Sequence, residues 1–419
     1  MTNVLIVGSG ARETALGLKF LASPQVDQVY VAPGGDGMDI VGLHSVAIDV
    51  MDFPALIEFA AANVALTFVG PEQPLVAGIT DAFTAAGLPI FGVTKAAARL
   101  EGSKTYAKHF MAKHDLPTAR AKSVQSLSAA LSVLDEWGVP IVIKADGLAG
   151  GKGVVVAQDV DTARAAIDRL YAADAAAPVL IEEFLAGQEA SVMALFAGQN
   201  AVILPLSQDH KRRYDDDRGP NTGGMGAVSP LPQFTQQEQA AATALMRQTV
   251  AALVADGVDS CGVIYMGLIF TAAEPKILEY NMRFGDPETQ VLLPQIQNDF
   301  YALVTDLMAG KQPELQLDGQ TYVGVVLTHP DYPVTSKPAL PVVQPDTALL
   351  AAHAWIPAAV SKTAGGLVST GGRVLTIVGS GTDAGSATKA AYALVQQYAG
   401  QLAYRSDIAH NALVTSKQN

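Results

Sequence analysis

The sequence predicts an α/β protein with a doubly wound parallel sheet at its N-terminus and a small mixed unit at its C-terminus. Short apolar runs alternate with helical patterns at the start of the chain, and these runs end in Gly- and Pro-rich turns. Strands that alternate with helices form parallel sheets covered on both faces, and ligands collect at the carboxyl ends of the strands. The 419 residues suffice for two or three units with sizeable cores.

Charge and cysteine content exclude several classes of protein. Lys and Arg number 27 against 40 Asp and Glu, a net charge of −13, so we expect neither nucleic acid nor an anionic membrane as a partner. Cys261 is the single cysteine, which rules out an intramolecular disulfide and a zinc site of several thiolates. No apolar stretch approaches the roughly 18 residues of a membrane span, and no leader pattern is visible. A cytoplasmic setting is therefore expected.

The N-terminal unit is predicted over residues 1–102. Asn3–Val7 is a predicted buried strand, followed by a Gly-rich turn and a helix to about Leu21. Val29–Ala32 and Leu66–Val69 are the next clear strands. The three strands end in GSGARE, APGGDG and VGPE, where we expect ligand-binding groups.

A second unit is predicted over residues 103–312 and a third over residues 322–419, with a linker between them. Ser103–His114 has the pattern of a helix capped by Ser103. The other predicted elements of the second unit are strands at Ile141–Lys144, Val154–Ala157, Val179–Glu183, Gly262–Phe270 and Lys276–Tyr280, a long loop at Ser207–Pro230 and a helix at Thr235–Asp256. Those of the third unit are strands at Tyr322–Thr328 and Arg373–Val378 and a helix at Ser386–Tyr398.

The first Gly-rich turn, Gly8–Gly10, matches a dinucleotide-binding fingerprint only in part. The G-x-G-x-x-G pattern needs glycine where the chain has Glu13, and a carboxylate there repels a pyrophosphate. A helix N-terminus with Arg12 beside it can still hold a phosphate. A structural strand-to-helix turn is the alternative.

The second Gly-rich stretch, Asp146–Gly153, joins two predicted strands. It is not a P-loop, because Asp146 stands at the first glycine and Gly153 at the Ser or Thr of that motif. A Gly-rich hairpin with one lysine can close over phosphates as a flap, its N–H groups turned toward them. Lys144 adds a second positive charge at the preceding strand end. A plain tight turn is the alternative.

Acidic side chains at two strand ends suggest nucleotide and metal binding. Glu182 and Glu183 end one strand, where backbone can meet an adenine edge and a carboxylate can hold ribose hydroxyls, although such pairs are more often a solvated face. Glu279 and Asn281 share a face of another strand, because residues i and i+2 point alike. Their oxygen atoms suit Mg²⁺, and a structural salt-bridge cluster with the following RFGDPE stretch is the alternative.

Together these pieces resemble the ATP-grasp fold and, more narrowly, the phosphoribosylamine–glycine ligase family. The resemblance covers essentially the whole chain, and its most specific blocks are GPNTGGMGA and RFGDPE. The stretches that carry it are VGPEQPLVAGI (69–79), FGVTKAAARLEGSK (91–104), IVIKADGLAGGKGV (141–154), IEEFLAGQEAS (181–191), SQDHKR (207–212), GPNTGGMGAVSP (219–230), EYNMRFGDPE (279–288), STGGRVL (369–375) and RSDIAHNAL (405–413).

The resemblance implies a central α+β ATP-grasp module with a flap subdomain over residues 118–189. It implies that ATP, glycine and 5-phosphoribosylamine give glycinamide ribonucleotide, ADP and phosphate through a glycyl phosphate. We also expect a monomer. It also implies Mg²⁺ or Mn²⁺ on Glu279 and Asn281 and catalytic roles for Arg283 and Lys211. The implied ATP-binding residues are Lys104, Lys144, Gly150, Gly151, Lys152, Gly153, Glu182, Glu183, Phe184, Leu185 and Glu189. The implied substrate-binding residues are Gly8, Gly10, Arg12, Glu13, Gly34, Glu72, Asp209, Asn221, Thr222, Gly223, Asp286, Pro287 and Glu288.

The chain departs from the family pattern at positions outside the nucleotide-binding blocks. Ala11 and Thr14 stand where the family has Gly and His, Gly35 where it has Asn, and Trp355 where it has Gly. All four fall on the side expected to meet the amine substrate. Two alternatives therefore stay open: an ATP-grasp ligase for a different acid or amine, and a nucleotide-binding protein without catalysis.

Overall fold

The structure, a computed structural model, describes residues 2–148 and 153–414. Its N-terminal elements are β1 (Thr2–Gly8), α1 (Ala11–Leu21), β2 (Val26–Pro33), α2 (Asp36–Ile40), β3 (His44–Ser45), α3 (Phe53–Asn63), β4 (Leu66–Val69), α4 (Glu72–Ala77), α5 (Ile79–Ala85), β5 (Ile90–Phe91) and α6 (Lys95–Gly102). The strands form one parallel sheet in the order β3-β2-β1-β4-β5. This confirms the predicted parallel sheet, and it places the reversal of strand order between β1 and β4, where ligands of such sheets bind.

Alternate residues of β1 explain why helices cover both faces of this sheet. Leu5 and Val7 are buried with Leu56 of α3, whereas Val4 and Ile6 are buried in a separate cluster with Leu16 of α1. Side chains of a strand alternate between the two faces, so a fully apolar strand needs a partner on each.

The first part of the central unit is a four-stranded antiparallel sheet. It contains α7 (Lys104–Lys113), β6 (Ala121–Val124), α8 (Leu127–Trp137), β7 (Ile141–Ala145), β8 (Val154–Ala157), α9 (Val160–Ala173) and β9 (Val179–Glu183). The strand order is β6-β9-β7-β8, and Val133 of α8 and Ile167 of α9 pack in its core. The predicted hairpin between β7 and β8 is confirmed, since the Ala145 N–H donates to the Gly153 carbonyl at 2.9 Å.

A second antiparallel sheet carries the metal-binding candidates. Its region comprises β10 (Gln188–Ala197), β11 (Asn200–Ile203), β12 (Gln208–Asp209), β13 (Arg212–Tyr214), β14 (Arg218–Asn221), β15 (Gly226–Ser229), α10 (Gln236–Ala255), β16 (Cys261–Phe270), β17 (Pro275–Asn281), α11 (Thr289–Leu292), a 3₁₀ turn (Leu293–Gln295) and α12 (Phe300–Met308). The sheet order is β11-β10-β16-β17, and the strands predicted at Gly262–Phe270 and Lys276–Tyr280 are confirmed as the antiparallel pair β16 and β17. The helix predicted at Thr235–Asp256 is α10, with Thr235 as its cap.

The prediction of a long loop over Ser207–Pro230 is wrong, because this segment contains four short strands. β13 and β14 pair with each other as a largely exposed hairpin, which explains the missing apolar period. β15 is fully buried between β12 and β18. Because it is only four residues long, its own sequence contains no apolar period that would predict a strand.

The C-terminal elements are β18 (Thr321–Thr328), β19 (Pro341–Val342), α13 (Thr347–Ala351), β20 (Trp355–Pro357), β21 (Val360–Thr363), β22 (Gly366–Ser369), β23 (Arg373–Gly381), α14 (Ala384–Tyr398) and α15 (His410–Val414). They build a sheet in the order β12-β15-β18-β23-β20, so two of its strands come from the central segment. α14 packs closely on β23, where a Cβ at Gly379 would lie 2.2 Å from the Ala391 nitrogen. In residues 2–148 and 153–414, no helix is long and apolar enough to cross a membrane.

Candidate active site

Two neighbouring cavities gather most of the residues singled out from the sequence. The larger, which we call the main cavity, has a volume of about 490 Å³. The predicted site residues that line it are Arg12, Glu72, Lys104, Lys144, Gly153, Glu182, Asp209, Lys211, Asn221, Thr222, Gly223, Glu279, Asn281, Arg283, Asp286 and Glu288. The side cavity, of about 480 Å³, is lined by Gly10 and Gly34 together with residues of the C-terminal sheet. Asp286 and Arg373 line both cavities.

Some predicted residues lie elsewhere. Those that line neither cavity are Gly8, Glu13, Glu183, Phe184, Leu185, Glu189 and Pro287. Gly150, Gly151 and Lys152 of the predicted flap fall outside the described residues. Glu189 is exposed but stays close to the main cavity, because its carboxylate lies 3.4 Å from the Lys211 ammonium.

A buried carboxylate organises the lysines of the main cavity. Glu182 at the end of β9 is 2% exposed and lies 2.6 Å from Lys144 and 2.7 Å from Lys108. Sequence analysis missed Lys108, although it sits four residues after Lys104 and so on the same face of α7. Because Glu182 is paired in this way, it fixes the Lys144 ammonium toward the cavity.

Lys104, the first residue of α7, is tied to the base of the predicted flap. Its ammonium donates to the Gly147 carbonyl at 2.7 Å, and its backbone N–H donates to Asp146 at 2.6 Å. Asp146 also accepts from the Ser103 hydroxyl at 3.2 Å. Burial, together with Lys144, lowers the pKa of the Lys104 side chain. The charged forms of the two partly buried ammonium groups, those of Lys104 and Lys144, would be stabilised by a bound anion.

Glu279 and Asn281 project from β17 into the main cavity, as the i, i+2 spacing predicts. Burial acts to raise the pKa of Glu279, but Lys211, Lys144 and Lys104 outweigh it and hold that pKa below its ordinary value. The carboxylate is therefore ionised at neutral pH and available to a cation.

Arg283 lies between two carboxylates of the N-terminal unit. Its guanidinium is 3.1 Å from Glu101 and 3.4 Å from Glu72, and it donates to the Asn281 amide oxygen at 3.3 Å. Burial acts to lower the pKa of Arg283, but Glu101 and Glu72 raise it above its ordinary value. The sequence pattern predicts no role for Glu101, which lies in the FGVTKAAARLEGSK stretch. Its position beside a buried guanidinium gives it one.

Asp209 and Glu288 form an acidic pair that also lines the main cavity. Burial and the neighbouring Asp209 raise the pKa of Glu288 to about 7. Burial also raises the pKa of Asp209, although Lys211 lies 3.7 Å away and opposes the shift. Glu288 is 2% exposed and its Oε1 atom accepts no hydrogen bond from the described residues. This pair would be stabilised by an additional positive charge.

The first Gly-rich turn is filled by a side chain of its own helix. A Cβ at Gly8 would lie 2.5 Å from the Glu13 side chain, and one at Gly70 would lie 2.0 Å from it. Glu13 is held by the Gly10 N–H at 2.7 Å and by Arg12 at 2.6 Å. Both glycines therefore make room for Glu13 at the β1–β4 crevice. Packing against Glu13 is therefore enough to explain why residue 8 is a glycine, without a bound ligand.

Two of the four departures from the family pattern lie at the side cavity. Ala11 and Gly35 line it. Thr14 donates to the Pro357 carbonyl at 2.7 Å and so joins α1 to β20. Trp355 is 1% exposed and belongs to the C-terminal core.

Comparison with known proteins identifies the family. Models of the N, ATP-grasp (A) and C domains of phosphoribosylglycinamide synthetase match residues 2–101, 102–289 and 322–411. A phosphoribosylamine–glycine ligase of Lactococcus lactis is 44% identical over 384 residues, covering 91% of this chain and 92% of its own length. The chain belongs to the phosphoribosylamine–glycine ligase family. The predicted resemblance is thereby confirmed.

Two further relatives agree with this family. A phosphoribosylamine–glycine ligase of Streptococcus pyogenes is 43% identical over 419 residues and covers 98% of this chain and 99% of its own. A crystal structure of phosphoribosylamine–glycine ligase from Thermotoga maritima matches with a TM-score of 0.84 at 33% identity, covering 97% of this chain and all of that one. As a member of the family, the chain is an ATP-dependent ligase with an ATP-grasp fold.

Proposed function

We propose that the chain ligates glycine to 5-phosphoribosylamine with ATP, giving glycinamide ribonucleotide, ADP and phosphate in purine biosynthesis. The observation that carries the proposal is the main cavity. In it, Lys104 and Lys144, the Glu279–Asn281 pair and Arg283 line one space. The relatives that carry this activity in their names match almost the full length of the chain.

ATP is proposed to lie with its phosphates on Lys104 and Lys144. Both ammonium groups line the main cavity, and their partly buried surroundings strengthen their attraction for anions. Gly150, Gly151, Lys152 and Gly153 are proposed to cover the phosphates. Glu182, Glu183, Phe184 and Leu185, where β9 ends, are proposed to bind the adenine, and Glu189 the ribose.

Glu279 and Asn281 fit a divalent cation, Mg²⁺ or Mn²⁺. Both offer hard oxygen donors to the main cavity, and Glu279 is held ionised by the lysines around it. Across residues 2–148 and 153–414, no group of three His, Cys, Asp or Glu side chains could hold a metal. Two protein ligands suit an ion whose other ligands are phosphate oxygens and water. When bound, such an ion supplies charge neutralisation to the phosphates.

The proposed chemistry has two displacements. A glycine carboxylate oxygen bonds to the γ-phosphorus while the bond to the ADP oxygen breaks, which gives glycyl phosphate. The amine nitrogen of phosphoribosylamine then bonds to the acyl carbon, phosphate leaves, and the nitrogen loses one proton. Neither step changes an oxidation state. The protein contributes positioning and charge stabilisation.

Glycine is proposed to lie between Arg283 and the acidic pair of Asp209 and Glu288. The Arg283 guanidinium would meet the carboxylate and then the acyl phosphate. Asp209 and Glu288 would hold the ammonium, which relieves their mutual repulsion, and Lys211 beside Asp209 would meet the transferred phosphoryl group. The remaining predicted contacts to substrate are Asn221, Thr222, Gly223, Asp286 and Pro287.

The sugar side is proposed to use residues of the N-terminal unit that reach the cavities. Arg12 and Glu72 line the main cavity, whereas Gly10 and Gly34 line the side cavity. Gly8 and Glu13 shape the turn that carries them. A monomer is also proposed.

The test is ADP release with glycine and phosphoribosylamine generated in the cuvette, each component being omitted in turn. We expect ADP only when ATP, Mg²⁺, glycine and the amine are all present, and we expect glycinamide ribonucleotide as the product by mass spectrometry. ADP release that does not depend on glycine would favour a ligase for another acid. ATP binding without turnover in any mixture would favour a nucleotide-binding protein.

A further inference from the structure

The hairpin of β13 and β14 carries residues of the main cavity at its open end. Lys211 directly precedes β13, Asn221 is the last residue of β14, and Thr222 follows it. All three line the main cavity. The Lys211 carbonyl accepts the Thr222 N–H at 2.8 Å and the Thr222 hydroxyl at 2.9 Å, which ties the two sides of the hairpin together. The orientation of the hairpin therefore decides where these three residues lie in the cavity.

The C-terminal unit holds this hairpin in place. In the described part of the chain, β13 and β14 pair with no other strand. Arg213 in β13 is 4% exposed, and its guanidinium donates to the Tyr332 carbonyl at 2.7 Å and to the Pro330 carbonyl at 3.0 Å. Because pairing with a larger sheet does not fix the hairpin, its orientation depends on contacts of this kind.

Arg405 contacts the hairpin at two points. Its side chain is fully buried, and its Nη1 atom donates to the Arg212 carbonyl at 3.1 Å and to the Asp217 carboxylate at 2.7 Å. Arg212 follows Lys211 in the chain and pairs with Asn221 across the hairpin. One guanidinium therefore holds both the open end and the turn of the hairpin.

The turn is also fixed by the residues next to Arg405. We call residues 405–407 the anchor segment. The Asp407 carboxylate accepts Nε and Nη2 of Arg405, each at 2.7 Å, and the Asp216 N–H at 2.9 Å. The Ser406 N–H donates to the Asp215 carboxylate at 2.9 Å. Paired N–H···O bonds between a guanidinium and a carboxylate have a fixed geometry, so the anchor segment gives the turn one position.

We propose that Arg405 is a positioning residue of the ligase reaction, which holds the hairpin so that Lys211 and Asn221 meet the reacting groups. This rests on the proposed function, in which Lys211 meets the transferred phosphoryl group. Arg405 itself lines neither cavity, so it acts through the hairpin and not by contact with substrate. A misplacement of about 1 Å can cost about 100-fold in rate, so a loosened hairpin lowers turnover even when the fold is kept.

Arg405→Lys tests the proposal in a protein that should still fold. An ammonium keeps a positive charge between Asp217 and Asp407 but cannot reproduce the planar, two-pronged contacts of a guanidinium. We expect kcat to fall about 10-fold at a temperature well below unfolding. The KM for ATP should stay within about twofold, because the lysines proposed to hold the phosphates lie outside the hairpin. Hydrogen–deuterium exchange should become faster in residues 211–222 and stay unchanged in β16.

The turn itself supplies a matched pair of variants. Asp217→Gly removes the ion pair with Arg405, whereas Asp216→Gly removes an exposed ion pair with Arg218 inside the hairpin. Both positions have a left-handed φ, 49° at Asp217 and 58° at Asp216, which glycine adopts without strain. Asp217→Gly should lower kcat about threefold or more and speed up exchange in the hairpin. Asp216→Gly should keep the wild-type kcat.

The combined readouts decide whether Arg405 acts as proposed. Faster exchange in the hairpin of Arg405→Lys with a wild-type kcat would overturn the proposal, since the contact would then be structural only. A lower kcat with unchanged exchange would also overturn it, because Arg405 would then act by another route. Equal kcat values for Asp217→Gly and Asp216→Gly would contradict the proposed contact. A wild type that releases no ADP with ATP, glycine and the amine present is a separate result, which shows the proposed function itself to be wrong.

Discussion

Glu101 holds two parts of the active site with one buried side chain. Its carboxylate accepts the Met282 N–H at 2.7 Å and lies 3.1 Å from the Arg283 guanidinium. Met282 is the residue between Asn281 and Arg283, so Glu101 positions the end of β17 as well as the guanidinium. Burial raises the pKa of Glu101 most strongly, whereas Arg283 opposes the shift. Glu101 lines the main cavity, and these two contacts lead us to propose that it acts as a positioning residue.

Substitution of Glu101 separates its charge from its hydrogen bond. Glu101→Gln keeps an acceptor for Met282 but removes the charge, and should raise the KM for glycine about 10-fold. Glu101→Ala leaves Arg283 with one carboxylate, and should also lower the free energy of unfolding by roughly 3–5 kcal/mol. Steady-state kinetics with glycine varied is the measurement, and Glu58→Gln, at an exposed position of α3, is the control. A rise in the KM for ATP alone would contradict the positioning role.

Removal of the proposed metal ligand should affect turnover and not folding. Glu279→Ala is expected to lower kcat by at least 10- to 100-fold and to raise the Mg²⁺ concentration needed for half-maximal rate. The variant should still fold, although its thermal unfolding temperature should fall somewhat, because Lys211, Lys144 and Lys104 lose a neighbouring negative charge. Glu274→Ala, in the exposed turn of the same hairpin, is the matched control. Wild-type rates in Glu279→Ala would refute the metal assignment.

The sequence predicted contacts that are local and missed those that are distant. Glu279 and Asn281 could be paired from strand periodicity, since they are two residues apart. Glu101 meets Met282 across 181 positions, and Arg373 meets Asp286 across 87. No local sequence period links residues this far apart, so these two contacts can be seen only in the folded chain.

At the scale of elements, Asp146 connects the N-terminus of α7 with the β7–β8 hairpin. It accepts the Lys104 N–H at 2.6 Å and the Gly147 N–H at 2.9 Å, and thereby fixes where the predicted flap begins. A carboxylate at a helix N-terminus is favoured by the free N–H groups of the first turn. This contact couples the orientation of the flap base to Lys104.

Loss of the Asp146 contact should raise the KM for ATP substantially but lower the free energy of unfolding only slightly. Asp146→Ala is expected to raise the KM for ATP about 10-fold, because both the hairpin base and Lys104 lose their fixed position. Asp159→Ala is the matched control, since Asp159 caps α9 of the same subdomain with a 2.7 Å bond to the Thr162 N–H. Both variants should lose about 1 kcal/mol of stability. Equal KM values for the two variants would show that the Asp146 contact is only a helix cap.

Elements with their own apolar period were predictable, whereas those that depend on a distant partner were not. β16, α10 and the N-terminal strands have such a period and appear where expected. β12 to β15 are two to four residues long, and the sheet that stabilises β15 is completed by β18. A polar, glycine-rich segment can thus be a set of strands when its partner supplies the pairing.

At the scale of the whole molecule, His210 joins the central segment to the C-terminal tail. It is 2% exposed, and its Nε2 atom accepts the Ala409 N–H at 3.2 Å. Burial, together with Arg405, lowers the pKa of His210 to about 4. The imidazole is therefore neutral in the folded protein at neutral pH.

The lowered pKa of His210 predicts loss of stability in mild acid. An unfolded histidine takes up a proton near pH 6.5, whereas folded His210 does so only near pH 4, so stability is full above pH 6.5 and falls as the pH drops toward 4. The slope is roughly 1.4 kcal/mol per pH unit. Thermal unfolding between pH 7 and 5 should show a shallower decline for His210→Gln than for the wild type. His109→Gln, at an exposed position of α7, should keep the wild-type slope.

The shared sheet of the central and C-terminal units has a consequence for synthesis of the chain. β15 ends at Ser229, whereas its partner β18 begins at Thr321. At roughly 5–20 residues per second, a ribosome needs about 5–20 s to make the intervening stretch. During that interval the nascent chain presents an apolar strand with an open edge, which is a template for wrong pairing. The yield of folded enzyme should therefore depend on translation speed and on chaperones that cover this edge before the second partner emerges.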